Sequence, residues 1–328
     1  MTLKTLRRVL LTAGVGAMLV AMVGVVPAAA TSGVTGQGYT WTNIKVPGSY
    51  ATFPVMVNNK GVVVGAYYVT STDWKNGVQR GFIKQGRKYT TIDDPLGVSN
   101  TVTGMNDHGE IVGTYTDSSG ADYGFIDQGG RFATIADPSA DNAKDLGTNV
   151  DGVTDSGEIG GTYFDSHSTM HAFSYKKGSY MTYNCPGQGT GRDPTNIFNG
   201  VAGSSFGYVA NAGAMSGTCF EDGTGYYNYV NQDGRFNRVP NYPGSSDSFI
   251  SWVNDSGESG GVYYTTPTAA NGGVPDGYIY QKGKFTTIND PDGQYGIWLN
   301  GANDSGLIVG AYYDGLGFWD GFELTPTH

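Results

Sequence analysis

A short turn, Asn-Asp-x-Gly in its fullest form, returns along this chain at near-constant intervals, each time followed by the same kind of strand. The copies are Asn58-Asn59-Lys60-Gly61, Asn106-Asp107-His108-Gly109, Thr154-Asp155-Ser156-Gly157, the degenerate Ala210-Asn211-Ala212-Gly213, Asn254-Asp255-Ser256-Gly257 and Asn303-Asp304-Ser305-Gly306. Their glycines lie 48, 48, 56, 44 and 49 residues apart. The strands that follow read VVVGAYY, EIVGTYTD, EIGGTYFD, AMSGTCFE, ESGGVYYT and LIVGAYYD.

Residues 105–138 show what one copy contains. Asp107-His108-Gly109, Ser118-Ser119-Gly120 and Gln128-Gly129-Gly130 are turn signals, because Gly supplies positive φ while Asn and Asp tolerate left-handed geometry and bond their own backbone. Between them lie EIVGTYTD, DYGFIDQ and RFATIADP, rich in β-branched and aromatic residues and of strand length, with NTVTGMN as a strand ahead of the first turn. The unit is a four-stranded antiparallel meander, its strands A to D. A period near 50 with four strands per copy is the signature of propeller blades.

The sixth copy stops after its third strand, at DGFELTP, and the missing fourth strand has a counterpart at the other end, Tyr39 to Pro47, YTWTNIKVP. Lending that N-terminal strand to the last copy would close a ring and remove exposed sheet edges. The expected fold is therefore all-β: a six-bladed β-propeller of four-stranded antiparallel blades, closed by the N-terminal strand, over residues 31–328.

Residues 1–30 read as a secretory signal peptide, with Lys4, Arg7 and Arg8 before an apolar run from Val9 to Val26 and a cleavage site at Ala28-Ala29-Ala30. The residues around Arg7-Arg8 fit the general export route better than the twin-arginine one. Secretion and no membrane attachment after cleavage follow as expectations. With Gly at 53 of 328 residues and only 15% charged residues, the remainder fits a chain of strands and turns in one domain. The net charge of −10 becomes −13 once the three basic residues of the leader are gone, and no basic stripe exists. Nucleic acid is a poor partner, and anionic polymers and acidic membranes would be repelled at long range. Cys185 and Cys219 are the two cysteines. One replaces the Asp ending a strand D and the other the Tyr near the end of the next strand B, on the same rim, so a disulfide between neighbouring blades is expected.

The strings NDHGEIVGTYTD, YGFI, GGRFATIADP and NDSGLIVGAYYD resemble the HAF-type extracellular repeat of bacterial secreted proteins. The resemblance covers all six copies, most weakly the fourth, and implies an exported β-propeller. It carries no catalytic residues over, because its motif consists of turn and core positions.

The A-to-B turns offer repeated carboxylates, Asp107, Asp155, Asp255 and Asp304, but calcium wants six to eight oxygens, so these read as hairpin-closing residues. The rim of B-to-C loops and D-to-A connections differs between copies, as ligand-binding residues on a repeated scaffold would. Its candidate contacts are Tyr68, Trp74, Asp117, Tyr123, Asp165, Tyr227, Tyr264, Trp298 and Trp319. Aromatic faces beside carboxylates and amides suit sugar rings. For catalysis, or for a divalent cation, the candidates are Asp151, His167, His171 and Arg192, with Asp165 beside the two histidines. No nucleophile elbow or phosphate-binding glycine loop occurs. The leading expectation is a monomeric, cofactor-free secreted binding module for a neutral glycan or cell-surface component. The alternatives are a glycan-acting lyase or hydrolase with one central site, and a scaffold with no small ligand.

Overall fold

The computed structural model describes residues 35–36, 38–144, 146–190, 202–221, 225–265, 274–289, 296–313 and 319–327. The leader and Arg192 lie outside the described residues. After β1 (Thr35–Gly36) and β2 (Tyr39–Ile44) the chain runs through successive four-stranded antiparallel meanders. The first is β3 (Ala51–Val57), β4 (Val63–Tyr68), β5 (Arg80–Gln85) and β6 (Lys88–Ile92). The second is β7 (Ser99–Met105), β8 (Ile111–Thr116), β9 (Asp122–Asp127) and β10 (Phe132–Ile135). Then come β11 (Thr148–Val153), β12 (Ile159–Phe164), β13 (Thr169–Lys176) and β14 (Ser179–Tyr183), followed by β15 (Ala202–Val209), β16 (Met215–Glu221), β17 (Gly225–Gln232) and β18 (Arg235–Val239). The fifth is β19 (Asp247–Val253), β20 (Ser259–Tyr264), β21 (Asp276–Gln281) and β22 (Lys284–Ile288), and β23 (Ile297–Ala302), β24 (Ile308–Tyr313) and β25 (Trp319–Pro326) end the chain. This is an all-β propeller fold.

The last three strands are joined by β2, antiparallel to β25 from Tyr39↔Pro326 to Ile44↔Gly321, and β1 adds a short outer strand. Trp41 of β2 is buried and stacks on Phe322 of β25 at 4.1 Å, which fixes the register through a large apolar pair. Two features lay outside the sequence reading, the joining of two meanders and a short helix. The third and fourth meanders form one eight-stranded sheet through a parallel contact, Thr169↔Ala202 and Met170↔Gly203. Cys185 and Cys219 form a disulfide across that same seam, as expected. A short helix, α1 (Ser71–Asn76), interrupts the first B-to-C connection; Thr70 and Asp73 make its capping box, and Gly77 ends it at φ 69°.

The glycine of each strand B has a steric cause. The innermost strand of every copy carries a β-bulge, for instance between Val102 and Gly104. A Cβ on Gly113 would sit 2.1 Å from the Thr101 carbonyl oxygen and 2.6 Å from the Phe125 ring. Gly65, Gly161, Gly217, Gly261 and Gly310 meet the carbonyls of Phe53, Asn149, Ser205, Phe249 and Trp298 in the same way. The motif glycine and the strand-C aromatic are thus two halves of one packing solution.

The A-to-B turns do more than close hairpins, which corrects the reading of their carboxylates. The first Asx does close the hairpin: Asn106 Oδ1 accepts from the backbone N–H groups of His108 at 3.1 Å and Glu110 at 3.0 Å. The second instead reaches the preceding copy. Asp107 Oδ1 accepts from Asn59 N–H at 3.0 Å, Asp155 Oδ1 from Asp107 at 2.8 Å, Asn211 Oδ1 from Asp155 at 2.5 Å and Asp304 Oδ1 from Asp255 at 2.9 Å. Ala212 N–H donates to Asp255 Oδ1 at 2.8 Å, and Asp304 N–H to Asn59 Oδ1 at 3.0 Å.

Candidate functional site

On the side of the B-to-C connections, residues from the first, fifth and last copies, with Tyr226 of the fourth, pack into one aromatic cluster. Trp74, the residue by which α1 joins the cluster, stacks on Phe53 at 5.8 Å and 8° and meets the edge of Tyr68 at 4.8 Å. Trp319, the first residue of β25, lies 5.8 Å from Phe53, 5.3 Å from Tyr313 and 4.4 Å from Trp298. Phe249 stacks on Tyr226 at 4.8 Å and meets Tyr264 edge-on. Tyr68, Trp74, Tyr264, Trp298 and Trp319, all expected as ligand contacts, therefore do come together.

Their accessibility differs from expectation. Tyr68, Tyr264, Trp298 and Trp319 are buried, and the half-open aromatic surface belongs to Trp74 with Tyr50, Phe53, Tyr226 and Tyr313. Tyr68 and Tyr264, at the ends of their B strands, turn inward beside the strand-A rings of Phe53 and Phe249, whereas Tyr313 of the last copy stays half open. The sequence carried a signal for this. The residue after the strand-B glycine pairs directly with the residue on strand A, and Ala66, Val262 and Ala311 leave room for Phe53, Phe249 and Trp298. In the other copies that residue is Thr114, Thr162 or Thr218, and the partner is Thr101, Asn149 or Ser205.

The remaining expected contacts are dispersed. Asp117 is a half-buried turn residue accepting from the N–H groups of Ser119, Gly120 and Ala121 at 2.8, 3.0 and 3.1 Å. The Ser119 hydroxyl first, and then these N–H groups, hold its carboxyl below the usual range. Tyr123 stacks on Tyr115 at 5.5 Å. Tyr227 is buried, donates to the Pro186 carbonyl at 2.7 Å and carries the Arg238 guanidinium 3.8 Å above its ring.

The catalytic candidates do not converge. His171 belongs to β13 rather than to the loop it was expected to share with His167, and it stacks on Tyr163 at 4.9 Å. Its Nδ1 lies 2.8 Å from Asn184 Oδ1 and its Nε2 3.3 Å from Asp165 Oδ2. Burial opposes ionisation of Asp165, but the N–H groups of Thr169 and His167 and the His171 ring outweigh it and lower its pKa. His167 is exposed, 3.7 Å from Asp165. Asp151 sits on the innermost strand, buried, with the Thr162 hydroxyl 3.3 Å away; burial pushes its carboxyl well up, and that hydroxyl only partly offsets the shift. Among the described residues no three His, Cys, Asp or Glu side chains are placed to hold a metal ion.

On the opposite side a shallow pocket is lined by Asn59, Asp107, Asn211, Asp255 and Asp304 of the turns together with Met56, Met105 and Tyr208. Each of those Asx side chains already accepts from a backbone N–H.

No protein-family model matches the sequence, and no curated protein matches it. Solved structures do. A gluconolactonase from Xanthomonas campestris matches with a TM-score of 0.50 at 9% identity, covering 92% of this chain and 97% of its own. A lectin from Aleuria aurantia in complex with Fucα1-6GlcNAc has a TM-score of 0.48 at 12% identity, covering 85% and 98%. The β-propeller domain of the trilobed protease from Pyrococcus furiosus has 0.45 at 8%, covering 84% and 94%. At these identities the likeness is one of fold.

Proposed function

We propose that the chain is a six-bladed propeller, closed by β2 in the last blade, that is exported and binds neutral carbohydrate or a glycan-bearing cell-envelope partner on the side of its B-to-C connections. The aromatic cluster carries this reading: it leaves the faces of Tyr50, Phe53, Trp74 and Tyr313 half open on one side of the molecule. Such faces stack on the C–H faces of a sugar ring, while nearby polar groups take its hydroxyls. The net charge of −10 turns away anionic polymers. The disulfide suits an oxidising compartment, and the resemblance to the HAF repeat points to export. A catalytic role draws no support from the placement of Asp151, His167 and His171, which share no hydrogen bond or ion pair with one another that would join acid to base at one point.

The test is to pass the mature chain over immobilised glucan, mannan, xylan and galactan, with alginate as the anionic control, and to assay the supernatant for released sugar. Retention on at least one neutral polymer, loss of it in Trp74→Ala or Phe53→Ala, and no release are expected. Release of product, or no retention on any neutral polymer, overturns the reading.

A further inference from the structure

Five aromatic rings follow one another across the junction of the last copy and the first. Tyr313 lies 5.3 Å from Trp319, Trp319 lies 5.8 Å from Phe53, Phe53 lies 5.8 Å from Trp74, and Trp74 lies 6.3 Å from Tyr50. Tyr313 ends β24 and Trp319 opens β25, where the two pair directly; Phe53 is on β3, Trp74 on α1, and Tyr50 immediately precedes β3. Local sequence sets the rings of the first copy: Ala66 leaves room for Phe53, and the capping box of Thr70 and Asp73 fixes the helix that carries Trp74.

Trp319 is buried and backs the row, while Tyr313, Phe53, Trp74 and Tyr50 are each half open, so open rings lie on both sides of the junction. One aromatic face stacks on about one sugar ring, and four open rings offer more surface than a single sugar covers. The steps between neighbouring rings are close to the length of one sugar residue in an extended glycan. The five rings carry no charge. Asp73, next to Trp74, is engaged by the cap, accepting from the Thr70 N–H at 2.9 Å and from the Thr70 hydroxyl at 2.7 Å. A neutral chain complements such a row, while the net charge of −10 turns away an anionic one.

We infer that this row binds an extended run of a neutral polysaccharide, several sugar residues at once, lying across the junction of the last and first copies. The site rests on the carbohydrate-binding reading proposed above and adds to it the form of the ligand, a chain rather than a single sugar. Each further residue stacked on the row adds contact without a second loss of translational freedom, so affinity grows with chain length until the row is filled.

The experiment is calorimetric titration of the mature chain with linear oligosaccharides cut from the glucan, mannan, xylan and galactan of the retention test, each series running from the monosaccharide to the hexamer. In a series whose polymer is retained, affinity should rise by about tenfold or more from monosaccharide to tetramer and then level off. Trp74→Ala and Tyr313→Ala, on opposite sides of the junction, should each lower the affinity for the hexamer by about fivefold or more and bring the levelling to a shorter chain. Trp74 lies on a helix with no buried residue, so its replacement should leave the melting temperature unchanged and decides the matter if Tyr313→Ala folds poorly. A monosaccharide that binds as tightly as the hexamer, or hexamer binding indifferent to both replacements, overturns the row and leaves carbohydrate binding as such standing. Retention on a polymer with no binding of its oligosaccharides does the same. Retention on no polymer and binding of no oligosaccharide overturns both.

Discussion

The backbone N–H of Asp304 donates to Asn59 Oδ1 at 3.0 Å, and Asn59 Nδ2 donates back to Asp304 Oδ2 at 2.7 Å, joining turns 245 residues apart. The same relation holds between turns that are neighbours in sequence, as from Asn59 to Asp107. The last turn therefore treats the first as its next copy.

Replacing Asp304 by Ala removes the acceptor of Asp255 N–H as well as that of Asn59. Both contacts are exposed, so the expected cost is about 1–2 kcal/mol. A double-mutant cycle with Asn59→Ala should show coupling of about 0.5 kcal/mol or more in urea denaturation. Strict additivity would mean that the two turns do not support one another.

The strand-B glycine should be far less replaceable than a turn glycine. Gly113→Ala drives a methyl group into the Thr101 carbonyl and the Phe125 ring, and a loss of roughly 3 kcal/mol or more is expected. At Gly129, φ is +67° and nothing lies within 4 Å, so alanine there should cost only about 1–2 kcal/mol of left-handed strain. Chemical denaturation of the two variants side by side makes the comparison, and equal losses would contradict the packing explanation.

Much of this was legible in the sequence because a repeat tests itself. The turn at Asp107, the strand after it and the orphan strand at Tyr39 could be read from spacing and pattern, and the pairing of β2 with β25 is where that reading placed it. The Cys185–Cys219 bridge followed from register. Burial of the rim aromatics was not read, since it depends on whether the residue paired across strands A and B is Ala66 or Thr114. The helix carrying Trp74 went unseen because a capped helix of six residues, under two turns, has too short a pattern to register. His171 was misplaced because a strand that begins at Thr169 leaves only Asp165 to Ser168 for the turn.

Reduction of the disulfide should weaken the seam between the third and fourth meanders. The bridge closes a loop of 34 residues, for which chain entropy gives about 3–4 kcal/mol. Urea denaturation of Cys185→Ala/Cys219→Ala against the parent measures it, and an unchanged midpoint would show the parallel contact at Thr169 and Met170 to be sufficient alone.

Asp151 gives the pH dependence a sign. Its folded pKa is raised by burial above the unfolded value, so the native state favours the protonated acid. That contribution to stability is fully present below the unfolded pKa and is lost as pH rises through the folded one. Asp151→Asn should therefore match the parent in acid and melt higher at pH 8. A variant that melts lower at pH 8 would show that the ionised form is held in place.

The proposed closure of the ring is tested most directly by a chain that begins at residue 48 and so lacks β2. Trp41 and Ile44 leave the core, and β25 loses its partner from Tyr39 to Ile44. Losing several kcal/mol of burial, at about 2–4 °C for each, should lower the melting temperature by about 10 °C or more. Adding a peptide of residues 39–47 should restore part of it. A shortened chain that melts at the parent's temperature, indifferent to the peptide, would contradict the closure on which the single ligand face depends.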